Sequence, residues 1–397
     1  MSTHALGRIA AALALVLAAL APAAAHAQAG GRLVIMGGGG FGSQPAVYQA
    51  ILEGRHGSGP VCVVPTASAS PESSLESAVE AFVAQGGPGS AVGIPQLTVD
   101  NPQSGSDPAV VEALGRCSGF YFVGGVQSRI VTVLRPGGRA TPALDVLVRR
   151  WREGAVVSGS SAGAAIMSDP MIAGGASGAM AGGVRLSSGE DDDEQEEQEE
   201  EDGALPNVSM EPGLGFFPAA LVDQHFLARG RFGRLLVAVL DLPAFDLGFG
   251  IDESTALVVE DGNAWPVGAS GIVVVDARGA SAQGGTTTGV RVHLMSGGDR
   301  FDLASRRVSA QETKRPLAAG PAVTAPEDLF SRWTFFHLLE GLGRSSQPAL
   351  AVPVPGGSIT LTKSPEFAAR SLEGQGVEGT AAGLSVTGLV VELRRDR

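Results

Sequence analysis

The serine best placed for nucleophilic chemistry is Ser161, the central residue of a Gly-x-Ser-x-Gly motif at 159–163. An apolar run at 155–157 precedes the motif, and a small-residue segment able to open a helix follows it. This order is typical of a nucleophile elbow, in which a tight turn projects the serine from the carboxyl edge of a sheet. The motif glycines predict a close approach of helix to strand, and the Ala162 N–H is placed to stabilise an oxyanion. Because the chain holds 57 glycines, an incidental Gly/Ser-rich turn is the alternative.

A serine nucleophile needs a general base, and four histidines follow the N-terminal segment. His225 lies in a polar cluster between a strand pattern and a helix pattern, which makes it the candidate base. His56 lies in a glycine-rich loop, and His293 alternates within a predicted strand. His337 lies in an apolar helical stretch, where packing is its expected role.

The base needs an acceptor that orients it, and the candidates are Asp223, Asp252 and Glu253. Asp223 lies two residues before His225, at the end of a predicted strand. The other two acids follow a predicted strand end. With either of these two acids the chain order is serine, histidine, acid, which argues against an α/β-hydrolase, in which the acid precedes the histidine.

The first half of the chain alternates strand and helix patterns, which predicts an α/β fold with a mostly parallel sheet sandwiched by helices. Strands are predicted at 31–36, 61–64, 91–97, 120–123 and 155–157, and helices at 71–85, 108–114, 127–134 and 143–151. Later in the chain, an amphipathic helix is predicted at 231–240 and another helix at 326–342. Parallel strands share one carboxyl edge, where ligands bind. The segments at 37–40, 66–68 and 124–127 therefore converge with Ser161.

The glycine run at 37–42 formally fits a dinucleotide-binding pattern. That interpretation needs an acidic residue at the end of the second strand, and the segment 65–68 has none. We expect instead that these glycines let the backbone pass close to a site or a neighbouring loop, and we expect no cofactor.

The N-terminus predicts export. A weakly basic start, an apolar run at 9–20 and a small-x-small site at 25–27 indicate a signal peptide at 1–27, with an uncleaved anchor as the alternative. We expect a secreted or periplasmic protein with no membrane segment after signal removal. Two cysteines, Cys62 and Cys117, form no metal cluster and are expected to be buried free thiols, with a disulfide bridge as the alternative.

The formal net charge of −13 comes largely from one segment, since 190–202 holds eleven acidic residues and no basic one. The composition does not indicate a basic surface of the kind that binds nucleic acid, so nucleic-acid binding is not expected. The run predicts a mobile, solvated loop. It is interpreted as a solubilising insert, as a loop that concentrates arginine-bearing substrate, or as a weak calcium site.

Several blocks resemble cyanophycinase and the wider S51 serine peptidases, which include the α-aspartyl dipeptidases. The elbow 159–164 resembles the nucleophile motif of the family, and the Asp-Gln-His-Phe block at 223–226 with its following arginines resembles the histidine block. The segment 250–256 resembles the acidic block. Further matches are found at 65–68, 122–127 and 292–302.

The resemblance implies a fold like class I glutamine amidotransferases and hydrolysis of bonds that involve aspartate. It implies a catalytic domain at 28–308, a C-terminal β-rich extension of unknown role at 309–397, and a possible homodimer. The catalytic residues would be Ser161, His225 and Glu253, with Asp252 as the alternative acid. The implied oxyanion donors are Gly125 and Ala162, and the implied substrate-binding residues are Gln127, Asp223, Gln224, Arg229, Arg231 and Arg234.

The expected function is therefore that of an exported serine-type peptidase that cuts a cyanophycin-like polymer to β-Asp-Arg dipeptides, or cuts related isoaspartyl peptides. Val126 departs from the polar residue usual in the family. The alternatives are an α-aspartyl dipeptidase, another serine hydrolase that uses His293 or His337, and a non-catalytic exported binding protein.

Overall fold

A computed structural model describes residues 30–42, 44–178, 182–187, 207–372, 381 and 383–396. The predicted signal peptide and the acidic run at 190–202 lie outside these residues. The described residues form two large sheets and one small one. None of their helices has the length and apolar character needed to cross a bilayer.

The first sheet carries the predicted nucleophile elbow at Ser161. Its strands are β1 (Leu33–Met36), β2 (Val61–Val64), β3 (Ala91–Gly93), β4 (Gly119–Phe122), β5 (Val156–Ser160), β11 (Thr255–Glu260), β12 (Asn263–Gly268), β16 (Arg300–Asp302) and β17 (Arg307–Ser309). Their order is β17-β16-β12-β11-β1-β5-β4-β2-β3. Strands β1 to β5 of this sheet are parallel, as predicted, whereas β11, β12, β16 and β17 pair antiparallel.

Helices cover both faces of the parallel strands. They are α1 (Pro45–Glu53), α2 (Pro71–Gly86), α3 (Pro108–Gly115), α4 (Gln127–Leu134) and α5 (Pro142–Arg152), with 3₁₀ turns at Pro102–Ser106 and Pro136–Gly138 and a short α6 (Ala162–Ala165). Successive strand residues point to opposite faces. In β1, Leu33 and Ile35 therefore pack in one core with α3 to α5, and Val34 and Met36 pack in another with α1 and α2.

The second sheet is mostly antiparallel, and some of its apolar residues share a core with the first sheet. Its strands are β9 (Leu221–Asp223), β10 (Leu247–Ile251), β13 (Ile272–Asp276), β14 (Ser281–Gln283), β15 (Thr286–Met295), β18 (Arg315–Pro316), β19 (Ala349–Val354), β20 (Gly357–Ser371) and β21 (Leu384–Arg395). The main order is β18-β20-β21-β15-β13-β10-β9. The small sheet contains β6 (Met171–Gly174), β7 (Val184–Leu186) and β8 (Val208–Glu211).

Residues 309–397 contribute directly to this second sheet. Strand β21 pairs with β15, which precedes the extension in the chain. Two helices, α7 (Phe232–Asp241) and α8 (Thr334–Arg344), share one apolar core with these strands. The extension and the segment around α7 therefore bury their apolar surfaces against each other.

The local signals predicted most elements of the parallel sheet. Helix α3 starts as expected, because the Asp107 side chain accepts a hydrogen bond from the Ala109 N–H. Helix α1 was not predicted. The helix expected at 326–342 begins only at Thr334, since the preceding residues run as a loop against α7.

The expectation of two free thiols is wrong. Cys62 and Cys117 form a disulfide, with their Cα atoms 5.8 Å apart. Strands β2 and β4 are neighbours with Val61 opposite Gly119, which brings Cys62 in β2 close to Cys117, two residues before β4. The sequence does not reveal this pairing, because 55 residues separate the two positions.

Candidate active site

The nucleophile elbow forms as the motif predicts. A Cβ atom on Gly159 would lie 2.3 Å from the Gly163 carbonyl oxygen, and one on Gly163 would lie 2.4 Å from the Phe122 carbonyl oxygen. The close approach of helix to strand is therefore confirmed. Ser161 has a φ of +54°, which is rare for a residue with a side chain, and its N–H donates to the Met36 carbonyl. Such strain often marks functional positions.

Three side chains form one hydrogen-bonded line. Ser161 Oγ lies 2.9 Å from His225 Nε2, and His225 Nδ1 lies 2.6 Å from Glu253 Oε1. Because a carboxylate can only accept, the proton of a neutral imidazole sits on Nδ1 and leaves Nε2 free to accept from the serine. The geometry is that of a nucleophile, a general base and an orienting acid, and these roles remain predictions.

Two glycines of the 37–42 run make room for the histidine. A Cβ on Gly38 would lie 2.1 Å from the His225 ring, and the Gly37 carbonyl accepts from the His225 N–H at 2.7 Å. The expected close backbone approach is confirmed. His225 itself has a φ of +48°, and Ser254 beside Glu253 has a φ of +59°. Positive φ values thus occur at the nucleophile, at the histidine and next to the acid.

The surroundings of His225 keep its ring neutral. Burial and the positive charges of Arg229 and Arg231 lower its pKa from 6.5 to about 4, although the Glu253 carboxylate acts in the opposite direction. The neutral form therefore predominates at neutral pH. A neutral imidazole is the form that can take the proton of a serine hydroxyl.

The adjacent acid, Asp252, serves the backbone. Its Oδ1 accepts from the N–H groups of Leu227 and Ala228, both at 2.9 Å, and its Oδ2 accepts from Ser270 Oγ at 2.6 Å. The side chain is fully buried, and burial raises its pKa. Asp252 therefore holds the loop that follows His225. No sequence motif predicts this structural role of Asp252 or the hydrogen bond that it accepts from Ser270.

Two of the predicted substrate-binding arginines are engaged inside the protein. Arg234 donates from Nε and Nη2 to the two oxygens of Asp223 at 2.9 and 2.7 Å, and from Nη1 to the Gly175 carbonyl. Arg231 donates to the Gln224 carbonyl at 2.9 Å. Four of the predicted substrate-binding residues are therefore buried: Asp223, Gln224, Arg231 and Arg234. The Asp223–Arg234 pair thus links β9 to α7.

The remaining predicted residues are Arg229, Gly125, Ala162 and Gln127. Arg229 is exposed. The turn that contains Gly125 approaches the nucleophile, because a Cβ on Gly124 would lie 3.3 Å from Ser161 Cβ. Ala162 is the first residue of α6, where an N–H has no acceptor within the helix. Gln127 donates from Nε2 to the Ala173 carbonyl at 2.7 Å.

The chain matches the family model of Peptidase family S51 over residues 33–266. A cyanophycinase from Nostoc sp. is 36% identical over 214 residues, which cover 50% of this chain and 61% of that protein. A cyanophycinase from Geminocystis herdmanii is 30% identical over 272 residues, which cover 65% and 85%. The chain thus spans about three fifths of the length of the Nostoc relative.

A solved structure of a peptidase from an acI-B1 Actinobacterium is also similar. It is 20% identical, with a TM-score of 0.45 and coverage of 62% of this chain and 91% of that chain.

The lowered pKa of His225 predicts an unusual acid limb for kcat/KM. Activity requires the neutral ring, so it should stay constant as the pH falls through 6.5 and decline only near pH 4. Arg229→Gln removes a positive charge that disfavours protonation, so the pKa should rise and the acid limb should move to higher pH. The matched control is Arg139→Gln, at another exposed arginine. An acid limb near 6.5 in the unmodified protein, or one unmoved by Arg229→Gln, would contradict the electrostatic account.

The two adjacent acids should respond differently to removal of charge. Glu253→Gln should lower kcat by about 100-fold or more, because the neutral amide no longer stabilises the imidazolium and its NH₂ group can hold the ring in the wrong tautomer. Asp252→Asn should instead lower the thermal midpoint, because a buried acceptor of three hydrogen bonds is impaired. Kinetics and thermal unfolding of both variants give the comparison. The assignment is reversed if Asp252→Asn abolishes turnover and Glu253→Gln leaves it intact.

Proposed function

Since the chain belongs to peptidase family S51, we propose that it is a serine-type exopeptidase that hydrolyses aspartyl bonds. The proposed substrate is a cyanophycin-like polymer of aspartate and arginine, and the proposed product is a β-Asp-Arg dipeptide. The observation that carries the proposal is the continuous line from Ser161 Oγ through His225 to Glu253. The names of the curated relatives supply the substrate class.

In the proposed reaction, Ser161 Oγ attacks the scissile carbonyl while His225 Nε2 takes its proton. The Glu253 carboxylate stabilises the imidazolium that results. The N–H groups of Ala162 and Gly125 stabilise the oxyanion. His225 then gives its proton to the leaving amine, and water hydrolyses the acyl-enzyme with the same histidine as base.

Arg229 is the proposed ligand for a substrate carboxylate. Its side chain is exposed, and its charge is close enough to His225 to lower the pKa of the ring. A guanidinium can bind a carboxylate through two hydrogen bonds. Arg231 and Arg234 are buried and bonded to neighbouring groups, so we assign them to support of the surrounding backbone instead.

We further propose that the protein acts outside the cytoplasm. The apolar N-terminal segment with its small-x-small site supports export. The Cys62–Cys117 disulfide also supports it, since such bonds persist mainly in oxidising compartments. N-terminal sequencing of the protein recovered from cell fractions should give a chain that starts near Gln28 outside the cytoplasm. An intact N-terminus on cytoplasmic protein would reject export.

The experiment that tests the function compares three substrates. Purified protein is incubated with insoluble cyanophycin, with α-aspartyl dipeptides and with β-aspartyl dipeptides, and the products are identified by mass spectrometry. The proposal predicts release of β-Asp-Arg from the polymer. Cleavage of α-aspartyl dipeptides alone would assign the dipeptidase activity, and no hydrolysis of any of the three would reject the proposal.

A further inference from the structure

The C-terminal extension contacts the loop that follows the candidate base. The Trp333 N–H donates to the Leu227 carbonyl at 2.9 Å. A Cβ atom on Gly230 would lie only 1.8 Å from the Phe330 carbonyl oxygen. The backbones of the extension and of loop 226–231 therefore touch without space for a side chain. The contacting segment 330–335 lies beyond the family match, which ends at residue 266.

Aromatic packing holds this segment against the start of α7. The rings of Phe335 and Phe232 are stacked, with centroids 3.8 Å apart and planes 9° from parallel. A Cβ on Gly233 would lie 2.8 Å from Cε1 of Phe330, so that ring lies directly on the helix. Both rings of the stack are buried. The apolar contact thus fixes the end of loop 226–231 on its outer side.

The inner side of the same loop is held by Asp252, which accepts from Leu227 and Ala228. The extension supports this carboxylate as well, because the Ala381 N–H donates to Ser270 Oγ at 3.3 Å and Ser270 donates to Asp252. Loop 226–231 is therefore held between a buried carboxylate and the extension.

The two functional residues of this region depend on that support to different degrees. His225 has its own anchors, through its N–H to Gly37 and through its ring to Ser161 and Glu253. The side chain of Arg229 is exposed, so its position depends on the loop backbone. The Arg229 N–H donates to the His225 carbonyl at 2.9 Å. Displacement of the loop would thus move Arg229 more than the base.

We propose that segment 330–335 of the extension is a positioning element for Arg229, and that it sets the affinity of the site for a substrate carboxylate. The proposal rests on the proposed function for its substrate and on the contacts above for its geometry. It gives the extension a role in substrate selection in addition to its role in the second sheet.

The test removes one ring from the contact. Phe330→Ala deletes the ring that lies on Gly233, and Phe367→Ala is the matched control, because both rings are partly buried against the same core of the extension. Hydrogen–deuterium exchange should become faster in peptides that cover 226–231 in Phe330→Ala and not in Phe367→Ala. Unchanged exchange there would overturn the proposal. This measurement needs no substrate, so it remains decisive even if the proposed hydrolysis fails.

Kinetics with a soluble aspartate–arginine oligomer then separate positioning from general destabilisation. Phe330→Ala should raise KM by about tenfold with kcat nearly unchanged, whereas Phe367→Ala should change neither. The increase in KM should disappear with an oligomer whose arginine carboxylates are amidated. If both variants behave alike, or if the amidated oligomer shows the same increase, the extension does not position Arg229.

A second pair of variants acts from the loop side. Gly230→Ala places a Cβ against the Phe330 carbonyl at a φ of +64°, and Gly137→Ala imposes a similar φ of +56° with no atom within 4 Å. Backbone strain is thus matched, and only the contact differs. Gly230→Ala should reproduce the faster exchange at 226–231, and equal exchange in the two variants would contradict the proposed contact.

Discussion

The site depends on the absence of a side chain at Gly38. With any Cβ at this position, the His225 ring would be displaced, because the atom would lie 2.1 Å from it. This contact joins the two sheets. Ser161 follows β5 of the first sheet, whereas His225 follows β9 of the second. The Gly37 carbonyl, at the end of β1, accepts from the His225 N–H and fixes the distance across this junction.

The electrostatics of the junction follow from its packing. His225 is mostly buried, and nearby arginines oppose a further positive charge, so the ring stays neutral. Glu253 opposes this effect from a partly exposed position, which keeps the proton on Nδ1 without making the ring permanently charged. The unprotonated Nε2 therefore faces Ser161 Oγ in the absence of substrate. Such preorganisation is what hydrolysis by a serine requires.

The sequence predicted the parts that depend on local pattern and left the long-range parts open. The elbow at Ser161 is encoded within five residues, and its glycine contacts are confirmed. Which of Asp252 and Glu253 contacts His225 depends on the backbone conformation next to them, where Ser254 has a positive φ that no sequence pattern predicts. The amphipathic helix expected at 231–240 is confirmed as α7, but Arg234 is buried on it in a pair with Asp223, which the helical pattern does not indicate. The disulfide likewise depends on strand order.

The most direct test of the account is hydrolysis of cyanophycin by Ser161→Ala beside Ser160→Ala, since these adjacent serines differ in direction. Ser160 ends β5 and is buried, whereas Ser161 reaches the His225 ring. We expect Ser161→Ala to fold normally and to lose kcat by several orders of magnitude, about 10⁴-fold or more, while Ser160→Ala retains turnover. Substantial turnover by folded Ser161→Ala would place the nucleophile elsewhere and contradict the account.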